Sequence, residues 1–199
     1  MKKYSWLLAG LAALTLFASN AVAQDDSDVF NGGTYEITPP KGWIHVAGYL
    51  SEKELKKLPE NVREHYSIRN TDVIFMNLSA QDSKEKGFKD SLNIVTISEN
   101  IPLSEDLVKE MKDILTQQYQ SMFTDFEMTD LELSKLNGKD VLVVKGNYTV
   151  INYKVKMEQT LVPNKDEALV LTCTYDSTRE DATTVIENCQ NAMKSLSFN

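Results

Sequence analysis

The sequence contains none of the short motifs that mark the common enzyme classes. A nucleophile elbow, a P-loop, an H-E-x-x-H zinc motif and a dinucleotide-binding glycine pattern are all absent. Histidine occurs only at His45 and His65, and no carboxylate stands out at metal-ligand spacing from either. A zinc or copper site would need both side chains to converge and to recruit further ligands. We therefore predict no catalytic residue, no metal site and no cofactor.

Positive charge is also scarce. The 199 residues include 21 Lys and Arg against 29 Asp and Glu, a formal net charge of -8. Removing Lys2 and Lys3 with an N-terminal signal would take this charge from -8 to -10. Nucleic-acid backbones and anionic lipid surfaces would be repelled at long range. We expect neither as a partner.

The one long apolar run lies at the N-terminus. A positive start, "MKK", precedes the uncharged run "WLLAGLAALTLF" at 6–17, and the small residues "AVA" end at Ala23. This order is typical of a bacterial secretory signal peptide, with cleavage between Ala23 and Gln24. The run is shorter than the roughly 20 residues of a membrane-spanning helix. No cysteine near the cleavage site can carry lipid, so we predict a periplasmic or secreted protein without a stable membrane anchor.

The length of the sequence after the signal peptide predicts one folded domain. Residues 1–23 are the predicted signal peptide, 24–33 form a flexible acidic tail, and 34–199 form the folded domain. The domain opens with a short strand from Thr34 to Thr38, which Pro39 and Pro40 end. The charged stretch 51–70 has helical spacing interrupted by Pro59, and we interpret it as a surface insertion.

The rest of the chain alternates between strand and helix signals. Strands are predicted at 72–80 and 90–98, and a helix at 103–123 with Ser104 as its N-cap. Four strands then follow between 126 and 175, the first two joined by an Asn137-Gly138 turn. Short turns imply antiparallel neighbours, because parallel neighbours need long crossovers. A capping box of Ser177 and Glu180 predicts the start of a final helix.

The two cysteines, Cys173 and Cys189, fall on this last strand and helix. Cys173 shares a strand face with Leu169 and Leu171, and Cys189 lies on the apolar stripe of the helix, so both thiols point into one layer. In an exported protein two such thiols should oxidise to a structural disulfide. Two unpaired buried thiols are the alternative. A metal half-site is disfavoured by the lack of further ligands, and a redox pair by the wide spacing.

Trp43 follows a Pro-Lys-Gly turn, with His45 and Tyr49 close behind it. These three side chains are our candidate lining for a ligand cleft beside the 51–70 insertion. The alternative, which we favour, is that Trp43 is a large aromatic side chain covering the open end of the core.

Several stretches resemble the PsbP-like superfamily, which includes DcrB-type bacterial envelope proteins. "TYEITPPKGW" is similar to its opening motif, "GFKDSLNIVTIS" to its following strand, 136–175 to its run of hairpins, and "AMKSLSF" to its end. The resemblance implies an α+β fold in which an antiparallel β-sheet is flanked by α-helices on both sides, an α/β/α sandwich. Similar proteins are accessory, docking or assembly factors. This chain departs from the DcrB type in two ways: it lacks a lipid-attachment cysteine, and its segment 51–70 is longer than the resemblance implies.

The sequence thus predicts an exported, non-catalytic binding or accessory protein of the bacterial cell envelope, with another envelope protein as its partner. One alternative is a periplasmic carrier of a small ligand or metal that uses the cleft near Trp43. The other is an enzyme whose site follows no known motif, which would require several ionisable residues to converge in one pocket.

Overall fold

A computed structural model describes residues 29–47, 71–77, 88–99, 101–150 and 152–199. The predicted signal peptide, residues 24–28 of the predicted tail, Tyr49 and the insertion 51–70 lie outside these residues. The described strands and helices, in chain order, are β1 (Phe30–Asn31), β2 (Tyr35–Ile37), β3 (Ile44–Ala47), β4 (Thr71–Met76), β5 (Ser91–Ile97), α1 (Glu105–Met122), β6 (Thr124–Leu136), β7 (Lys139–Val150), β8 (Tyr153–Asn164), β9 (Glu167–Asp176), α2 (Ala182–Lys194) and β10 (Ser197–Phe198).

The main sheet contains seven of the described strands, in the order β3-β4-β5-β9-β8-β7-β6. Each neighbouring pair is antiparallel, and β6 to β9 form the predicted meander. Asn137 and Gly138 both have positive φ, 51° and 82°. These angles suit the tight turn that matches the twist of a hairpin, which explains the Asn-Gly pair between β6 and β7.

Helix α1 begins where its sequence predicts. The Ser104 hydroxyl accepts a hydrogen bond from the Leu107 N–H at 3.2 Å and so caps the first turn. Glu105 and Asp106 add favourable charge there. The residues that the helix buries, at helical spacing, are Met111, Leu115 and Tyr119.

Apolar side chains alternate along the central strands and divide between two clusters. In β5, Val95 and Ile97 belong to one cluster, which we call the α1-side cluster because it contains the buried residues of α1. Leu92 and Ile94 belong to the other, the α2-side cluster, which contains Cys189 of α2. Successive residues of a strand point to opposite faces, so each cluster lies on its own face of the sheet. The predicted α+β class, with an antiparallel sheet and helices, is confirmed.

The start of α2 corrects a prediction. Ser177 does not cap the helix, because its N–H and its hydroxyl both donate to the Lys154 carbonyl, at 2.8 and 2.9 Å. The helix instead begins at Ala182 after Asp181, whose side chain makes no capping hydrogen bond. The S-x-x-E pattern therefore predicted the wrong helix start, because Ser177 donates its hydrogen bonds to a backbone carbonyl of β8 and not to the first turn of a helix.

A second sheet lies outside the sequence prediction. It contains three of the described strands, in the order β1-β2-β10. Phe30 and Asn31 fall within the segment 24–33 that the sequence assigns to the tail, yet they pair with Ile37 and Glu36 of β2. Ordered pairing therefore begins before Thr34. On the other side of β2, Ser197 pairs with Glu36.

Strand β6 contains two irregularities that shift its side chains from one face to the other. Its register against β7 changes between Thr124 and Glu127 and again between Met128 and Asp130. Each shift adds a residue to β6, as a β-bulge does. Phe126 and Met128 therefore share the α1-side cluster with Leu131 and Leu133, although the two pairs differ in sequence parity.

The first bulge places the Phe126 ring where Gly146 of β7 has no side chain. A Cβ added at Gly146 would lie 2.7 Å from two ring carbons of Phe126 and 3.1 Å from the Glu127 carbonyl oxygen. We expect Gly146→Ala to lower the free energy of unfolding by about 2 kcal/mol, the usual cost of overpacking. Urea denaturation measures this change. Combining it with Phe126→Leu, which frees space, should cost less than the sum of the two single changes. Strict additivity would contradict the explanation.

Candidate functional site

Trp43 and His45 pack into the protein beside the small sheet. The Trp43 N–H donates to the Pro40 carbonyl at 3.1 Å across the turn, and its side chain is 6 % exposed within the α2-side cluster. The His45 ring lies 5.3 Å from the Phe30 ring and 6.0 Å from the Phe75 ring. Partial burial lowers the pKa of His45, which favours its neutral form. These contacts describe an aromatic core cluster, while Tyr49 lies outside the described residues.

Charged groups converge around Asp90, at the end of the main sheet where Trp43 precedes β3. Its carboxylate is fully buried and accepts hydrogen bonds from Arg179 at 2.8 Å, from Asn77 at 3.1 Å and from the Asp176 N–H at 3.2 Å. Arg179 also donates to Asp181. Burial raises the pKa of Asp90, although the Arg179 charge acts in the opposite direction.

The Asp90 cluster joins three parts of the chain. Asn77 follows β4, Asp90 precedes β5, and Arg179 lies between β9 and α2. Both carboxylate oxygens of Asp90 are occupied by protein donors, an arrangement that holds the loops together and leaves little of the carboxylate available to a substrate. Among the described residues, no three His, Cys, Asp or Glu side chains form a group suited to a metal ion.

A chain of polar side chains is buried beneath α1. The Tyr119 hydroxyl donates to Gln159 at 2.8 Å, and the Gln159 amide donates to the Thr172 hydroxyl at 2.9 Å. Burial raises the pKa of Tyr119 and keeps its hydroxyl protonated. This network ties the C-terminal turn of α1 to β8 and β9. Sequence reasoning missed this network; the available signal is Gln159, a polar residue at a core position between Met157 and Leu161.

An open groove of about 500 Å³ lies at the opposite end of the sheet from Asp90. Three segments line it: the β6–β7 turn, the β8–β9 turn and the residues that follow α2. Its apolar lining includes Leu136, Val162, Leu196 and Phe198. The candidate residues Trp43 and His45 do not line it. Sequence reasoning missed this groove, because the lining side chains belong to separate hairpins and have no common motif.

One half of the sheet is polar on the α2 side. There α2 packs on β9, and its Gln190 donates to Glu158 of β8 at 3.2 Å. Between Glu158 and the β7–β8 turn, the side chains of β7 and β8 on this side are exposed or half-buried. On the other side of the sheet, Val155 and Met157 are buried. We call this surface the open sheet face; its residues are Lys145, Asn147, Thr149, Lys154 and Lys156.

The predicted disulfide is present. Cys173 of β9 and Cys189 of α2 are joined, with both residues fully buried in the α2-side cluster and their Cα atoms 6.2 Å apart. The bond therefore fixes the middle of α2 to the central part of the sheet. Of the helices in the described part of the chain, neither is long and apolar enough to cross a membrane.

No protein-family model matches the sequence, and no curated protein matches it at a significant level. Solved structures do match. The solution structure of cyanobacterial PsbP (CyanoP) from Synechocystis sp. PCC 6803 superposes with a TM-score of 0.56 at 13% identity, covering 93% of this chain and 99% of that one. LpqN of Mycobacterium tuberculosis, which is involved in cell envelope biogenesis, gives a TM-score of 0.50 at 10% identity and covers 90% of both chains.

These comparisons define the fold of the protein. The chain has the PsbP-like fold, as its motifs predicted. At such low identities the likeness concerns architecture and transfers no residue role. The neighbours include a PsbP protein and an envelope biogenesis protein.

Proposed function

We propose that the protein is an exported, non-catalytic accessory protein of the bacterial cell envelope, built as an α/β/α sandwich and acting by binding another protein. The N-terminal signal pattern and the buried disulfide support export, since disulfides persist in oxidising compartments. The envelope role of one structural neighbour is compatible with this location. The division of α1 and α2 between the two core clusters supports the sandwich.

The observation that carries the proposal is the open sheet face. Three of its five residues are lysines in a chain with a formal net charge of -8. Lys145 lies between two carboxylates, 3.5 Å from Asp130 and opposite Glu158 in the ladder, and Glu127 pairs with Asn147. Lys154 and Lys156 are exposed and form no ion pair with another described residue, so the positive charge of this face is concentrated at these two lysines. A polar strand surface with these two exposed lysines suits a partner that presents an acidic patch, because complementary charge favours encounter and register.

Crosslinking in intact cells at native expression, followed by purification and mass spectrometry, tests the proposal. We expect one dominant envelope protein with the wild-type chain. The charge reversal Lys154→Glu with Lys156→Glu should lower its recovery by about tenfold, because like charges then face each other. Exposed substitutions of this kind leave the fold nearly unchanged.

A matched control carries the same charge change on α1, with Lys109→Glu and Lys112→Glu, and should retain the partner. Both lysines are exposed on the other side of the sheet. A wild-type chain that captures no partner above background would contradict the accessory role. Equal recovery with both double variants would contradict docking on the open sheet face.

A further inference from the structure

The groove between the two hairpin turns and the C-terminal segment has fixed walls. The Asn137 amide donates to the carbonyl oxygens of Lys194 and Leu196, both at 2.9 Å, and so holds the β6–β7 turn against the end of α2. Lys139 donates to Asn164 at 3.3 Å, which joins the same turn to the end of β8. Because hydrogen bonds tie these segments together, the groove is formed before any ligand arrives, which lowers the entropic cost of binding.

The charged side chains that line the groove are both positive, although the formal net charge of the chain is -8. Lys139 and Lys165 are its charged lining side chains. Neither forms an ion pair with another described residue, in contrast to neighbouring Lys135, whose ammonium lies 2.6 Å from Asp140. Lys139 is instead held 3.8 Å above the centre of the Phe198 ring. Two cations that form no ion pair with another described residue thus border one pocket.

The floor of the groove is apolar. Val162 and Leu196 are 1 % and 5 % exposed, and both belong to the α2-side cluster. Leu136 and Phe198 are partly buried and pack against the same cluster. Pockets of about 300 to 1,000 Å³ with mostly apolar walls and a few placed polar groups are typical small-molecule sites. The volume of about 500 Å³ falls within this range.

We propose that this groove binds a small organic anion with an aromatic or aliphatic body. The body lies on Val162, Leu196 and Phe198, and the carboxylate or sulfonate group lies between Lys139 and Lys165. This site is separate from the open sheet face and does not depend on the accessory role. It also differs from the cleft near Trp43 that the sequence suggested.

Two fluorescent probes of similar shape test the charge preference: anilinonaphthalene sulfonate, an anion, and phenylnaphthylamine, which lacks the sulfonate. We expect the anion to bind saturably and to shift the backbone amide resonances of Asn137, Lys165 and Phe198 in two-dimensional NMR spectra. Lys139→Gln combined with Lys165→Gln should weaken the anion by about tenfold and leave the neutral probe nearly unchanged. Phe198→Ala should weaken both probes, because both use the apolar floor.

The control double variant, Lys109→Gln with Lys135→Gln, removes the same number of charges outside the groove. It should bind the anion as the wild type does. Equal weakening in both double variants would overturn the proposal, since only overall charge would then matter. So would tighter or equal binding of the neutral probe to the wild type, or saturable shifts confined to other residues. Absence of any saturable binding would overturn it as well.

Discussion

Replacing Cys173 and Cys189 together with alanine should lower the free energy of unfolding by about 3 kcal/mol. The bond closes a loop with a sequence separation of 16 residues. In the chain-entropy treatment, a loop near this length restricts the unfolded chain by about 3 kcal/mol. This is one of the two largest effects that we expect from the structure.

The position of the disulfide explains why its loss should be felt throughout α2. Cys189 lies between Val185 and Met193 on the buried stripe, and Cys173 lies on the central strand β9. Without the bond, α2 is held on the sheet by packing of this stripe and by hydrogen bonds near its C-terminal end, from Gln190 to Glu158 and from Asn137 to the Lys194 carbonyl. Hydrogen exchange should therefore accelerate first in α2, before the strands of the meander.

Guanidinium denaturation of the wild type and of the double variant, with and without a reductant, measures the effect. The reductant should destabilise the wild type by a similar amount and leave the double variant unchanged. A change below about 1 kcal/mol in the variant would show that the bond contributes little to stability.

The second large effect concerns the Asp90–Arg179 ion pair. Arg179→Met should lower the free energy of unfolding by about 3 kcal/mol at neutral pH, because it leaves a buried carboxylate without its cation. Asp90 is fully buried, and its remaining donors are Asn77 and the Asp176 N–H. Neither of these donors carries charge.

The loss should depend on pH. In the folded wild type the pKa of Asp90 lies above its ordinary value of 3.8. A carboxyl with a raised folded pKa binds its proton more tightly in the folded state, so its contribution to stability grows as the pH falls through the folded pKa. The full contribution is present at pH values below the pKa of Asp90 in the unfolded chain. Arg179→Met removes the cation that lowers the pKa, so its deficit should be largest at neutral pH and should shrink on acidification.

A double-mutant cycle with Asp90→Asn separates the ion pair from packing. Asparagine is nearly the same size as aspartate, and it removes the buried negative charge that Arg179→Met leaves without a cation. The combined variant should recover more than about half of the stability that Arg179→Met loses. Urea denaturation at several pH values measures all four proteins. A combined variant as unstable as Arg179→Met, or a deficit that grows on acidification, would contradict this account.

Local signals in the sequence were sufficient to predict the helix α1 and the meander. Ser104 indicates the first turn of α1, and the Asn137-Gly138 pair indicates the first hairpin. Each of these signals acts over a few residues, so contacts between near neighbours in the sequence determine where the helix begins and where the hairpin turns. The disulfide was also predictable, because both cysteines fall on apolar faces of neighbouring elements.

Other features depend on contacts between distant segments. β1 and β10 have two residues each, so they carry no periodicity, and they exist because β2 supplies partners on both sides. Ser177 has the sequence of a cap but finds a carbonyl of β8. The groove brings together lysines from two different turns, and each lysine by itself resembles an ordinary exposed residue.

The bulges of β6 bear on how the protein behaves at high concentration. Among the described strands, β6 lies at one edge of the main sheet and is 13 residues long. A straight edge of this length is a template on which a second copy can add its own strand. Two breaks in the ladder shorten the regular stretches, and Glu127, Asp130 and Glu132 would oppose like charges in an approaching copy. The β6 edge should therefore resist pairing with a second copy into extended sheets, even where the protein accumulates in a confined space.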